Sequence, residues 1–139
     1  MTVHVVTGSW HALSDAAGAI RFEVFVDEQR VPPEMELDEM DAVSLHALAL
    51  DGDRPVGTGR LLPDGHIGRM AVRREARGHG IGSLILNTLL AAAKARGDAS
   101  VLLHAQLHAR PFYERHGFAV EGDVFMEAGI AHVLMRYRF

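Results

Sequence analysis

The sequence predicts a mixed α/β domain, a mostly antiparallel sheet flanked by helices, and three observations carry that prediction. Strand-like runs at 44–50, 55–62 and 66–72 are separated by Asp51-Gly52-Asp53 and Pro63-Asp64-Gly65, turns short enough to make the three runs antiparallel neighbours. The clearest helix follows, from about Gly80 to Arg96, with Ile81, Leu84, Ile85, Leu89, Ala92 and Ala93 on one face. An apolar run, Val101-Leu102-Leu103, comes directly after it. The segment from Met70 to Leu103 therefore reads as a strand-helix-strand crossover, parallel and right-handed.

The remaining elements fill in around this centre. Val3 and Val5 mark a short first strand ending at Gly8. From Ser9, a plausible N-cap, to about Val26, the apolar residues Ala12, Ala16, Ala19, Ile20 and Val24 fall at helical spacings. Pro32-Pro33 breaks the next stretch, although a turn of helix can start after the pair. Gly97 suits the residue just past the end of the main helix. The run 100–106 has the apolar character of a strand buried on both faces. A short helix from Pro111 to His116 has Pro in its first turn and Gly117 beyond its end. Two last strands, near 118–125 and 131–138, are joined through Glu127-Ala128-Gly129.

Composition narrows the function. A chain of 139 residues is one domain, 1–139, with an ordinary globular balance of 48% apolar and 23% charged residues. The absence of cysteine excludes disulfides, thiolate metal sites and a cysteine nucleophile. No run is long and apolar enough for a membrane span, and Met1–Val5 lacks a signal-peptide pattern, so the expected location is the cytoplasm. A net charge of −4 argues against nucleic acid as a partner. Between Asp27 and Asp41 stand seven acids, Asp27, Glu28, Glu34, Glu36, Asp38, Glu39 and Asp41, against Arg30 alone. His104 and His108 are four apart but in strand and loop, and no His-Glu-x-x-His motif occurs, so no metal site is expected.

The most informative residues are Arg77-Gly78-His79-Gly80-Ile81-Gly82, between a strand and the start of the main helix. Glycines there let the backbone turn tightly and approach a ligand, and free amides at a helix start favour an anion. The spacing fits neither the dinucleotide fingerprint nor the P-loop. Taken by itself, the turn could hold a phosphate or merely reverse the chain.

The spacing Arg77-x-x-Gly80-x-Gly82 resembles the pyrophosphate loop of the GNAT N-acetyltransferases. The strand Ile67-Gly68-Arg69-Met70-Ala71-Val72 is similar to the family's fourth strand. The segment Ala105-Gln106 with Phe112-Tyr113-Glu114-Arg115-His116-Gly117-Phe118 resembles its second CoA-binding motif. Val24–Gln29, Glu34-x-Glu36-x-Asp38 and Glu127-x-Gly129-Ile130-x-His132 resemble the ElaA-like or YjcF-like branch. The resemblance spans nearly the whole chain.

It implies that strands four and five are parallel and splay apart, and that acetyl-CoA lies between them as co-substrate. Met70, Ala71 and Val72 would line the pantetheine arm, with a backbone amide near Met70 stabilising the oxyanion. Arg77, Gly78, His79, Gly80, Ile81, Gly82 and Ser83 would hold the pyrophosphate, joined by Gln106, Phe112 and Tyr113. An amine attacks the thioester directly, and Tyr113 matches the family tyrosine that protonates the departing thiolate. Many relatives carry a glutamate on the fourth strand as base; here 66–72 has no carboxylate. Glu28, His46, His104 and His132 are the candidates in its place. The acidic segment would face the acceptor, with Glu28, Glu36, Asp38, His46 and Arg60 as candidate contacts for a polar or cationic amine. That amine could be an amino sugar, a polyamine, an amino acid or a protein amine. The other class open to such a chain is a CoA-binding regulatory or vestigial domain without efficient turnover. A final strand such as Ala131–Phe139 could pair across a homodimer.

Overall fold

The computed structural model describes residues 2–139. Strands β1 (Val3–Gly8), β2 (Leu45–Asp51), β3 (Arg54–Leu61) and β4 (Ile67–Val72) form an antiparallel sheet in that order. The Asp51-Gly52-Asp53 turn sets the first hairpin, pairing Asp51 with Arg54. A second antiparallel sheet has the order β5 (Ser100–Gln106), β7 (Ile130–Arg138), β6 (Ala119–Glu127). β7 is hydrogen-bonded on both sides, to β5 and to β6. The expected pairing of Ala131–Phe139 across a homodimer is therefore corrected: this strand has no free edge to offer.

The two sheets meet where β4 begins. His66 and Leu102 form one isolated parallel bridge, and the Leu102 amide donates to the Gly65 carbonyl at 3.1 Å. Beyond that bridge no ladder joins β4 to β5 among the described residues. The two strands are thus parallel and splayed, as the resemblance implied.

Helices pack on both faces. Helix α1 (Trp10–Arg21) starts at Ser9, whose hydroxyl accepts from the Ala12 amide at 3.2 Å, and it runs on into a π-helical stretch, Phe22–Glu28. Ile20 and Val24 cover Leu48 and Ala71 on one face of the first sheet. Helix α3 (Ile81–Ala95) covers Ala47 and Ala49 on the other. Adjacent β2 residues thus point to opposite layers. The buried face of α3 is Ile81, Ile85, Leu86, Leu89 and Ala93; Leu84, expected inside, is 43% exposed.

Contact between α3 and the sheet is unusually close at β3. A Cβ on Gly57 would come within 2.8 Å of Ile85 Cδ1, and one on Gly59 within 2.9 Å of Ile85 Cγ2. The two glycines let the helix rest on bare backbone. Burial along β5 alternates, with Val101, Leu103 and Ala105 in the core and His104 exposed. The expectation of burial on both faces fails because the face carrying His104 and Gln106 is turned to the cleft. The remaining helices, α2 (Pro33–Glu36) and α4 (Arg110–Arg115), are short. Among the described residues no helix is long and apolar enough to cross a membrane.

Candidate active site

The site begins with an irregularity in β4. Thr58 pairs with Ala71 and Arg60 with Gly68, so Arg69 and Met70 together face Gly59. That two-against-one register is a β-bulge, which leaves a backbone group out of the ladder. Arg69 takes a left-handed backbone, φ 50°. Such a conformation costs a non-glycine residue on the order of 1–3 kcal/mol and persists when its surroundings fix it. Its guanidinium supplies that fixing by donating to the Glu36 carbonyl at 3.2 Å and to Asp38 Oδ2 at 3.3 Å.

At the far end of β4 lies the glycine loop. Gly78 and Gly80 have φ of 82° and 76°, and a Cβ on either would meet nothing within 4 Å. Glycine is needed there for backbone conformation, not for space. Gly80 is the N-cap of α3, so the first free amides of a 15-residue helix open onto the loop. Arg77 and Arg115 line the same groove with Val72, Gly82, Ser83 and Phe112. Arg77 is preset: Nε donates to the Val72 carbonyl at 2.9 Å and a terminal nitrogen reaches Glu28 Oε1 at 3.0 Å. These groups suit a pyrophosphate. His79 is exposed, whereas Ile81 and Ala71 are core residues that offer only backbone.

Between loop and bridge, the seam widens into a cleft of about 650 Å³. Met70 and Tyr113 lie in its wall, with the Tyr113 hydroxyl 3.9 Å from the Met70 sulfur. Burial pushes the Tyr113 phenol up to about 12. Phe112 and Phe118 pack edge-on against its ring. Gln106 spans the cleft, its amide donating to Gln29 Oε1 at 3.2 Å.

The acidic segment is largely an ion-pair network. Arg21, on the buried face of α1, binds Glu36 through Nε and Asp41 Oδ1 at 2.8 Å. Arg60 binds Asp38 Oδ1 at 2.7 Å and Asp41 Oδ1 at 2.9 Å. The Arg60 guanidinium beside Asp38 holds that carboxyl below its ordinary value, despite partial burial. For Asp41 burial pushes upward, but the hydrogen bonds and charges of Arg21 and Arg60 outweigh it and the carboxyl titrates low. Glu36, Asp38 and Arg60 line the cleft. His46 is buried at 1% exposure beneath the network, on the Asp41 carbonyl at 2.9 Å, and burial pushes its imidazole down. Glu28 stands with the glycine loop, on Arg77 and 3.6 Å from Arg74.

At the opposite wall His104, His132 and Glu127 come together. Glu127 Oε1 is 2.8 Å from His104 Nδ1, and its Oε2 is 3.7 Å from His132 Nε2. Arg21, Asp41, Arg69 and Glu127 escaped the reading of the sequence as site residues. Arg21 left a signal: a charge at helical spacing from Ala17 and Val24 lies on the core side and needs a partner. The others come into place only through tertiary packing.

The chain as a whole is similar to known proteins. The family model "Acetyltransferase (GNAT) domain" matches residues 12–139. The uncharacterized N-acetyltransferase YjcF of Bacillus subtilis is 42% identical over 120 residues, 84% of this chain and 86% of its own. A crystal structure of an acyl-CoA N-acyltransferase from Pseudomonas aeruginosa superposes with a TM-score of 0.87 at 32% identity, covering 98% of this chain and 99% of that one. Escherichia coli ElaA superposes with a TM-score of 0.88 at 27% identity, covering 99% and 100%.

Proposed function

The chain belongs to the GNAT acetyltransferase family, enzymes that use acetyl-CoA as co-substrate, and from that membership we propose that it acetylates a primary amine with a polar or cationic head by direct attack on the thioester. The observation that carries this reading is the β4 bulge at Arg69-Met70, set across an open seam from β5 and one strand-length from the glycine loop. Met70 and Val72 receive the pantetheine arm, and Arg77, Gly78, His79, Gly80, Gly82, Ser83 and Arg115 surround the pyrophosphate. Gln106 and Phe112 close the sides. An amide freed by the bulge receives the developing oxyanion.

Tyr113 serves the departing sulfur. A phenol raised to about 12 keeps its proton throughout the working range. Against a solvated thiolate, whose ordinary thiol pKa is about 8.5, full transfer from such a phenol is uphill. Its role is a hydrogen bond to sulfur as the C–S bond lengthens, completed by transfer once the thiolate is desolvated in the same cleft.

Glu36, Asp38 and Arg60 form the acceptor wall, with His46 fixing it from below and Glu28 fixing Arg77. His132 and His104 border the position from which the amine arrives. The three carboxylates of the network face three arginines, so the attraction for a cationic amine rests on the acids left over in the cleft, Asp64 and Glu127.

Thermal unfolding tests the reading. Acetyl-CoA at 100 times its Kd should add about 2.7 kcal/mol, a rise of roughly 10 °C for a chain of this size, with ATP and NAD giving none. Turnover should then appear in an amine panel beginning with cations. Tyr113→Phe should lower kcat while leaving the acetyl-CoA shift intact. An equal shift with ATP, or wild-type kcat in the Phe variant, would refute the assignment it addresses.

A further inference from the structure

An alkylammonium cannot attack a thioester until it loses a proton, and β4 supplies no carboxylate to take it. The other cleft carboxylates are engaged. Glu36 and Asp38 are bound to arginines, and Asp64 accepts from the His66 amide at 3.0 Å and contacts its ring at 2.9 Å.

We infer that His104 is the base, that its free Nε2 takes the ammonium proton, and that Glu127 is the positioning residue that holds its Nδ1–H. The inference rests on the acetyltransferase reading and names the proton acceptor within it.

Four imidazoles line the cleft: His66, His104, His108 and His132. His132 donates Nδ1–H to the Ile130 carbonyl at 2.7 Å and its Nε2 lies 3.7 Å from Glu127 Oε2, but at 6% exposure the ring is withdrawn from an incoming amine. His66 carries a similar pair, its Nδ1 on Asp64, but it stands in the bridge to Leu102 that closes the seam, below the position of His104. Among the described residues His108 has no hydrogen bond that would fix a tautomer. His104 combines the needed features. Nδ1 lies 2.8 Å from Glu127 Oε1, which fixes the proton there and leaves Nε2 as the acceptor. Its side chain is 37% exposed on the cleft side of β5, and Nε2 has no partner among the described residues. The ring is clamped edge-on between His66 at 5.5 Å and Phe125 at 5.2 Å.

The charges around it favour the transfer. Glu127 from β6 stabilises the imidazolium as it forms, the division of roles expected of a base with an orienting carboxylate. His66, held by Asp64 at the entry to β4, is the other titratable group against the ring, and His132, from β7, stands behind Phe125 and Glu127. The balance is simple. The ammonium gives one proton to His104 Nε2, the amine nitrogen forms the N–C bond, the C–S bond breaks as Tyr113 gives its proton to the CoA sulfur, and the second proton shed by the nitrogen restores the Tyr113 phenol. His104 returns its proton to water.

The test is a pH profile of kcat/KM on the full chain with acetyl-CoA and the best amine of the panel, alongside His104→Gln, Glu127→Gln, Glu127→Asp and His132→Gln. His104→Gln should lower kcat roughly 100- to 10,000-fold, leave acetyl-CoA affinity unchanged and remove the acid limb. Glu127→Gln should shift that limb to lower pH, since a neutral amide does not stabilise the imidazolium, and Glu127→Asp should restore part of the shift. A limb that survives in His104→Gln overturns the inference, as does a Glu127→Gln profile lowered at every pH with its limb fixed. Transfer of the whole effect to His132→Gln overturns it too. Imidazole nitrogen NMR needs no acceptor: His104 should be the Nδ1–H tautomer, and an Nε2–H tautomer refutes the assignment. Wild-type protein that turns over normally in the face of any of these results leaves the acetyltransferase reading standing; protein that binds no acetyl-CoA defeats both.

Discussion

Arg21 occupies a helix position that periodicity assigns to an apolar side chain, with Ala17 and Val24 on the same face. It is 1% exposed, lies under the Trp10 ring at 5.0 Å, and meets Glu36 and Asp41. A buried ion network of this kind is worth little against an apolar substitute, yet losing one member leaves an uncompensated charge in the interior. Its pH dependence has a definite sign. Asp38 and Asp41 titrate below their ordinary values in the folded chain, because arginine contacts outweigh burial. Their stabilisation is therefore complete above the unfolded carboxylate range and declines as pH falls through the lowered folded values. Urea midpoints should fall in two steps: the first below about pH 6.5, where the unfolded chain protonates the imidazole that burial keeps neutral at His46, and the second below about pH 4, where Asp38 and Asp41 lose their charge. Asp41→Asn should be less stable and show a smaller second step; an unchanged second step would assign it to other carboxylates. At this scale the glycine loop was legible in the sequence, because Gly78, Gly80 and Gly82 stand close together in the chain. The network was not, because Arg21, Arg60 and Arg69 come from three separate elements.

At the level of elements, strand order and hairpin partners followed from turn chemistry, and the main helix from its apolar spacing. The details that shape the site did not. Gly57 and Gly59 read as ordinary strand glycines, yet they set the height of α3 above the sheet. Gly59→Val would drive a side chain into Ile85, Leu89 and Met70. Overpacking of this kind costs typically about 1–3 kcal/mol, and here it also presses on the residue beside the bulge. The variant should melt several degrees lower and lose acetyl-CoA affinity; full affinity would show that α3 and the bulge adjust independently. The bulge itself carried no sequence signal, since Arg69 is an improbable residue for a left-handed backbone and is held there by contacts 31 to 34 positions away in the chain.

The whole molecule is two sheets joined by one bridge and one crossover helix. The family resemblance anticipated the splay, whereas the exposed face of β5 at His104 was hidden because its apolar run reads the same buried on one face or two. Hydrogen exchange should divide along this line. Amides on the facing edges of β4 and β5 beyond His66–Leu102 should exchange quickly in the free protein and slow on addition of acetyl-CoA, while β7, bonded on both sides, stays unchanged. Uniform slowing across both sheets would mean global tightening rather than occupation of the seam.

That seam also has a kinetic meaning. Two parallel edges facing each other across a gap amount to a sheet with one strand missing, and an amide-bearing pantetheine arm is about the right shape to stand in for it. On the proposed placement, each catalytic cycle would close with the peeling away of a borrowed strand. The speed limit of the enzyme would belong as much to the unzipping of backbone hydrogen bonds as to the making of the amide.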